Sequence, residues 1–277
     1  MCKVLKVTNG GYYKWLKNKD KPYKHEALLA QILEVIAEDE ENKNYGRERI
    51  FLALRNNKGY KGSYSTVCRV CKNNNIKVVI KHRANGITKA DSLAQKSENL
   101  INQDFTAQSP NTKWLGDITE IPTADGKLYL STVLDCYDGA IVGMAMGNNM
   151  RAELCMDAFV AACKRYGAKG MIFHSDRGSQ YTSSIYRDTL GNYGAIQSMS
   201  GTGRCYDNAR MESFFATLKK EKLYKIKTEQ LPMSVVKSII FRFIEVYYNR
   251  RRIYTTNAGY PPLVFRDMFY RGEKAVA

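Results

Sequence analysis

Long apolar runs are missing from this chain. No stretch of eighteen consecutive apolar residues occurs in its 277 residues, so no membrane-spanning helix is expected. The first twenty residues are rich in lysine and hold no apolar run of the kind a secretion signal needs. A cytoplasmic protein is therefore expected. Cysteines number seven, an odd count without regular spacing, which argues against a disulfide framework. Histidines number three. His25 and His82 do not complete a zinc pattern with Cys68 and Cys71, the only close cysteine pair. That pair reads instead as part of a helix with at least one thiol packed inside.

Negative charge is the other scarcity. Against 43 Lys and Arg stand 27 Asp and Glu, a net charge of +16. The excess is uneven: +9 over residues 1–110, −1 over 111–212 and +8 over 213–277. A near-neutral middle between basic flanks suits a metal-binding core with nucleic-acid-binding arms. A basic surface with no polyanion partner is the alternative. Apolar content of 44% and charged content of 25% are ordinary for a globular protein. The length allows one large domain or two small ones to bury a core.

Residues 1–24 form a basic N-terminal segment, where Gly10-Gly11-Tyr12-Tyr13-Lys14-Trp15 marks a turn followed by a short amphipathic piece. Residues 25–80 read as a small helical unit. Leu28, Leu29, Ile32, Leu33 and Ile36 recur at three- and four-residue steps. A second helix is expected from near Tyr45 to near Asn56. After Gly59 and Gly62, Ser63 or Ser65 caps a third helix through Val67, Val70 and Cys71. Three short helices with a glycine turn before the last read as a helix-turn-helix, offering Tyr64, Arg69 and Lys72 to DNA. A bundle that only packs on the core is the other reading. Residues 81–110 are polar, with weak helical spacing at Leu93 and Leu100, and read as a linker.

The core is expected over 111–230. Strands are predicted at Trp114–Ile121, Leu128–Asp135 and Ala140–Met146, the last two joined by a tight turn at Tyr137-Asp138-Gly139. A helix follows over Ala152–Tyr166, then a strand at Met171–His174, a helix near Ser183–Leu190, a short strand near Ile196 and a helix carrying Glu212. Residues 231–277 hold a long amphipathic helix from Val235 to Tyr248 and a basic tail. Arg250, Arg251 and Arg252 either hold phosphates or sit as a solvated helix end favoured by the dipole.

Three carboxylates stand out. Asp176 follows the apolar run Met171-Ile172-Phe173, at the strand end where open α/β sheets place their sites. Asp117 lies in the first predicted strand, and Glu212 in a helix-like segment. Carboxylates from two strands and a helix can hold two divalent cations about 3.5–4 Å apart for phosphoryl chemistry, and Mg²⁺ prefers such hard oxygen donors. His174 and Asp176 share a face if the strand persists. Asn208, Glu212 and Lys219 fall on roughly one helical face. The loop Ser200-Gly201-Thr202-Gly203-Arg204 either leaves room for a DNA backbone or forms a mobile flap.

The words around these carboxylates resemble a known family. Trp114-x-x-Asp117-Ile118-Thr119, His174-Ser175-Asp176-Arg177-Gly178-Ser179-Gln180-Tyr181 and Asp207-Asn208-Ala209-x-x-Glu212-Ser213-Phe214-Phe215, followed by Lys219, resemble DDE transposases of bacterial insertion sequences. The likeness is to the OrfB type, with a retroviral-integrase-like catalytic core. It implies an α/β, ribonuclease H-like fold: a mixed five-stranded sheet with flanking helices, preceded by a small helix-turn-helix-like domain. It implies that Asp117, Asp176 and Glu212 hold two Mg²⁺ or Mn²⁺ ions, and that the enzyme cleaves 3′ ends of its element and joins them to target DNA. Lys219 and His174 are then candidates for the DNA backbone near the scissile phosphate, with Arg204 and Asn208 close by. Partners implied are double-stranded DNA, further copies of the chain, and an upstream-frame helix-turn-helix protein or frameshift fusion. The protein would sit in the cytoplasm, at the nucleoid when bound. Thr202 and Arg204 depart from the Lys and Asn common in the family's loop, and Tyr254 stands where a His is usual. Alternatives are a nuclease of the same fold without strand transfer, and a non-catalytic DNA-binding regulator.

Overall fold

The computed structural model of the chain describes residues 7–19, 24–78, 98–201 and 208–273. A five-stranded mixed sheet organises it: β1 (Lys113–Thr123), β2 (Gly126–Asp135), β3 (Ile141–Gly147), β4 (Ile172–Ser175) and β5 (Ile196–Met199), in the spatial order β3-β2-β1-β4-β5. β1, β2 and β3 run as an antiparallel meander, whereas β4 and β5 join β1 in parallel. A parallel partner needs a crossover. The helix α5 (Ala152–Tyr166) supplies it. After β4 come the short α6 (Ser179–Thr182) and α7 (Ser184–Asn192); α8 (Ala209–Glu221) follows β5.

Alternation along β1 sorts its side chains between two cores. Trp114 and Ile118 face α5, packing with Phe159, Phe173 and Tyr186. Leu115 and Ile121 face the other way, into a larger core shared with Phe214 and Leu218 of α8. Gly116 lies under the ring of Phe173, so close that a Cβ there would collide with it.

The larger core also takes in the N-terminal helices. These are α2 (Glu26–Ala37), α3 (Arg47–Lys58) and α4 (Tyr64–Asn73), with a 3₁₀ turn at Glu40–Asn44 between the first two. Ile32, Ile50, Leu54 and Val70 are fully inside. Gly59, at φ +64, ends α3 in the left-handed conformation, and the Ser63 side chain accepts the Thr66 amide to start α4. Cys68 and Cys71 both lie on α4, with Cys71 buried. At Gly10-Gly11 the expected turn is instead the first turn of α1 (Asn9–Asn18), because the Thr8 hydroxyl caps it through the Gly11 amide at 3.0 Å.

Residues 98–110 are not helical, and Leu93 lies outside the described residues. They are tied along β5: Leu100 N donates to Ser198 Oγ at 2.9 Å and Met199 N to the Glu98 carbonyl at 3.2 Å. The long helix expected over 235–248 is α9 (Met233–Phe241) followed by a π-helical stretch, Arg242–Tyr248. In α9 the buried residues are Val236 and Ile240, leaving Val235 exposed, and in the wider turns that follow Phe243, Ile244, Tyr247 and Tyr248 go inside. Contacts at its end explain the change. Tyr248 packs on Phe214 at 4.9 Å between ring centroids and donates its hydroxyl to the Gly139 carbonyl. Asn249 bonds both N–H and C=O of Ile141, at 3.0 and 2.9 Å.

α10 (Pro262–Tyr270) closes the fold. Its Arg266 is buried against Asp135 at 2.7 Å and Asp138 at 2.6 Å, with its guanidinium 4.6 Å from the Tyr166 ring centre. Among the described residues no helix is long and apolar enough to cross a membrane.

Candidate active site

The parallel pairing of β1 with β4 brings the first two carboxylates together. Leu115 is paired with His174. Past the end of that ladder Asp117 and Asp176 leave neighbouring strands near enough for the Asp176 charge to act on Asp117. Both lie on the side of the sheet that α8 covers. At the start of α8, Asn208 Nδ2 donates to the Gly116 carbonyl at 3.4 Å, pinning the helix next to Asp117. Glu212 follows in the first turn, and Lys219 lies two turns further along the same helix.

The electrostatics report the crowding. Burial pushes the Asp117 carboxyl up to about 8; the charges of Asp176 and Glu212 push the same way. The Ile118 amide, 2.7 Å from Oδ1, and the Lys219 charge pull against it. Asp176 is also raised by burial, although the Gly178 amide donates to it at 3.0 Å. Lys219 is half-buried, and desolvation lowers its ammonium; Asp117 and Glu120 oppose this.

Among the described residues no three His, Cys, Asp or Glu side chains are close enough together to form a ready-made ion site. The donor set nevertheless fits a hard divalent cation. Every candidate ligand is a carboxylate oxygen, and the charges of Asp176 and Glu212 oppose ionisation of Asp117, a repulsion that a cation relieves.

Several sequence expectations need correction. His174 is fully buried; Nδ1 pairs with Ser198 Oγ at 2.8 Å and Nε2 with Ser200 Oγ at 3.2 Å, so it braces β4 against β5 rather than facing DNA. Asn208 is buried in the contact with Gly116. Arg252 points inward, donating to both oxygens of Glu221 at 2.8 and 2.7 Å, so its charge is neutralised inside the protein. Arg251 is exposed and meets Asp39 at 3.2 Å; Arg250 is exposed. Arg69 and Lys72 stand on the solvent side of α4. Arg204 lies outside the described residues.

Two clusters escaped sequence reasoning. Glu221, the last residue of α8, receives Arg252 from the tail and Arg49 from α3 at 2.9 Å. Lys222 beside it meets Glu41 at 2.5 Å, so the end of α8 is held from two sides. The second cluster is Arg266 with Asp135 and Asp138. Its sequence signal was a pair of acids at a hairpin turn, which reads as turn chemistry alone.

Comparison with known proteins bears on the family and the fold. Residues 107–205 match the integrase core domain family. The chain is 34% identical over 276 residues to an insertion element IS600 uncharacterized 31 kDa protein of Shigella sonnei, covering 98% of this chain and 99% of that one. It is 33% identical over 270 residues to transposase InsF for insertion sequence IS3A of Escherichia coli, covering 96% of this chain and 93% of that one. In fold alone it resembles a chain of the simian T-cell lymphotropic virus intasome in complex with PP2A regulatory subunit B56 gamma. That likeness has a TM-score of 0.50 at 15% identity, over 80% of this chain and 70% of that one.

Sheet order, flanking helices and family match together define a ribonuclease H-like integrase core. The chain belongs to the DDE transposases of bacterial insertion sequences, polynucleotidyl transferases that act on DNA.

Proposed function

We propose that Asp117, Asp176 and Glu212 are the catalytic carboxylates with which this transposase cleaves 3′ ends of its element and joins them to target duplex DNA. The observation that carries this reading is the meeting of β1, β4 and the start of α8, with Asn208 bonded to the Gly116 carbonyl; the Asp117 carboxyl is raised by burial and then by the charges of the other two. The three residues would hold two Mg²⁺ or Mn²⁺ ions. Such ions, when bound, supply activation of the attacking oxygen and neutralise charge on the leaving 3′-oxygen.

The protein's own part is positioning. Gly116 leaves room for the Phe173 ring on the face of β1 opposite Asp117. Asn208 holds the start of α8, and so Glu212, against β1. Lys219, on the same helix, offers a phosphate a point charge without a fixed fork of donors. His174 ties β4 to β5 through Ser198 and Ser200. Residues 25–80 serve as a DNA-reading unit through Arg69 and Lys72, with Arg250 and Arg251 as further phosphate contacts. The chain works as a homo-oligomer on DNA, in the cytoplasm, alone or with an upstream-frame helix-turn-helix partner.

The test uses duplex DNA carrying the element's own ends, with Mg²⁺ or with EDTA. Asp117→Asn, Asp176→Asn and Glu212→Gln should each abolish cleavage and leave DNA binding intact. Near-normal cleavage by any one variant removes that residue from the site. Supplying a pre-cut 3′-hydroxyl end with target DNA must give joined product; cleavage without joining would make this a nuclease of the same fold.

A further inference from the structure

A cavity of about 370 Å³ opens beside the carboxylates, between the end of β1 and the chain leaving α8. Lys219 lines it and also feels the charge of Asp117, so this lysine stands between cavity and carboxylates. Its lining is of two kinds. Lys219 and Lys227 bring positive charge, and Lys227 is exposed without an ion pair among the described residues. Two acids also line it: Glu120, matched by Lys127 at 3.0 Å, and Glu229, exposed at the outer rim, against the three cations Lys219, Lys225 and Lys227. Between the lysines stand the half-buried ring of Tyr224 and the apolar side chains of Ile121 and Ile226.

Resting on the function proposed above, we propose that this cavity holds one unpaired nucleotide of the DNA strand that enters the carboxylate site. Cations flanking an aromatic ring match a nucleotide, whose phosphate seeks charge and whose base seeks a stacking surface. A simple anion would leave Tyr224 and the isoleucines unused. The volume lies at the small-ligand end of the usual range of about 300–1,000 Å³; a base pair with both backbones does not fit. The strand must therefore part from its complement here, with its phosphate on Lys219 and its base on Tyr224. Freeing the strand in this way exposes the phosphodiester next to it.

Fluorescence anisotropy in EDTA, where no cleavage occurs, tests this with two labelled duplexes. One is blunt; the other carries a few unpaired nucleotides at one end. The wild-type protein should prefer the second by about tenfold or more. Tyr224→Ala should erase the preference without changing affinity for the blunt duplex, while Tyr224→Phe should keep it. Lys227→Glu, at an exposed position that folding does not depend on, should weaken the frayed duplex more than the blunt one. A preference that is absent from the wild type, or that survives in both Tyr224→Ala and Lys227→Glu, overturns the pocket and leaves the DNA-acting assignment standing. Failure of the wild type to bind either duplex refutes both.

Discussion

Replacing Asp117 with Asn should end catalysis and at the same time stabilise the metal-free protein at alkaline pH. The carboxyl titrates near 3.8 when free and near 8 in the fold. A folded value above the unfolded one means that the fold favours the protonated acid. Stability from this group is complete below about pH 4 and is lost as pH rises to about 8. Each tenfold gain in proton affinity is worth about 1.4 kcal/mol, so the ceiling is about 6 kcal/mol. Asp117 is only half-buried, and screening brings the expected loss to about 2–3 kcal/mol. Asn has the same shape and keeps an oxygen for the Ile118 amide at 2.7 Å, but carries no charge to desolvate. At about 2–4 °C per kcal/mol for a protein of this size, Tm in EDTA above pH 8 should rise by about 5–10 °C. The gain should shrink toward pH 5. Added Mg²⁺ should stabilise the wild type, narrowing the gap, and leave the variant nearly unmoved. Thermal melts across pH, with and without metal, measure all of this. A variant that is less stable, or whose difference from wild type ignores pH, would show that the carboxylates do not crowd one another and sink the argument for the site.

Other outcomes follow from the same structure. Glu221→Ala strands buried Arg252 and should cost about 3–5 kcal/mol in denaturant unfolding, whereas Arg251→Ala, which breaks an exposed pair, should cost less than about 1 kcal/mol. Lys219→Ala should reduce strand transfer more than tenfold, about 1.4 kcal/mol of transition-state stabilisation; Lys220→Ala should change it little, and equal losses would point to a diffuse charge effect. DNA affinity should fall with salt at a log–log slope of about −0.9 per phosphate neutralised; a flat response would mean that the basic flanks do not bind.

The sheet was legible because its strands are apolar runs broken by turn residues, and α5 because its buried stripe recurs at helical spacing. The proposed carboxylates stand out in the sequence through the words around them. Other features depend on partners distant in the sequence. Arg250-Arg251-Arg252 reads as a solvent-facing run, yet Arg252 is drawn inward by Glu221, 31 positions earlier. The π-helical turn comes from Asn249 and Tyr248 seeking partners on β3 and its hairpin, which no local periodicity encodes. His174 looked available beside Asp176, but its two hydroxyl partners come from the far side of β4.

The parallel contact between β1 and β4 has a consequence in time. It spans three register pairs, Lys113–Ile172 to Leu115–His174, and it brings the strand carrying Asp117 next to the strand that leads into Asp176. Those two residues are 59 positions apart, and Glu212 is 36 positions further on. The β1–β2–β3 meander closes through near neighbours, but the carboxylates meet only after long loops have closed around α5, which is slow and costly in entropy. During synthesis the growing chain passes through a stage with a folded hairpin and no cutting centre. Glu212 can join the two aspartates only after α8 has been made, later than every strand of the sheet.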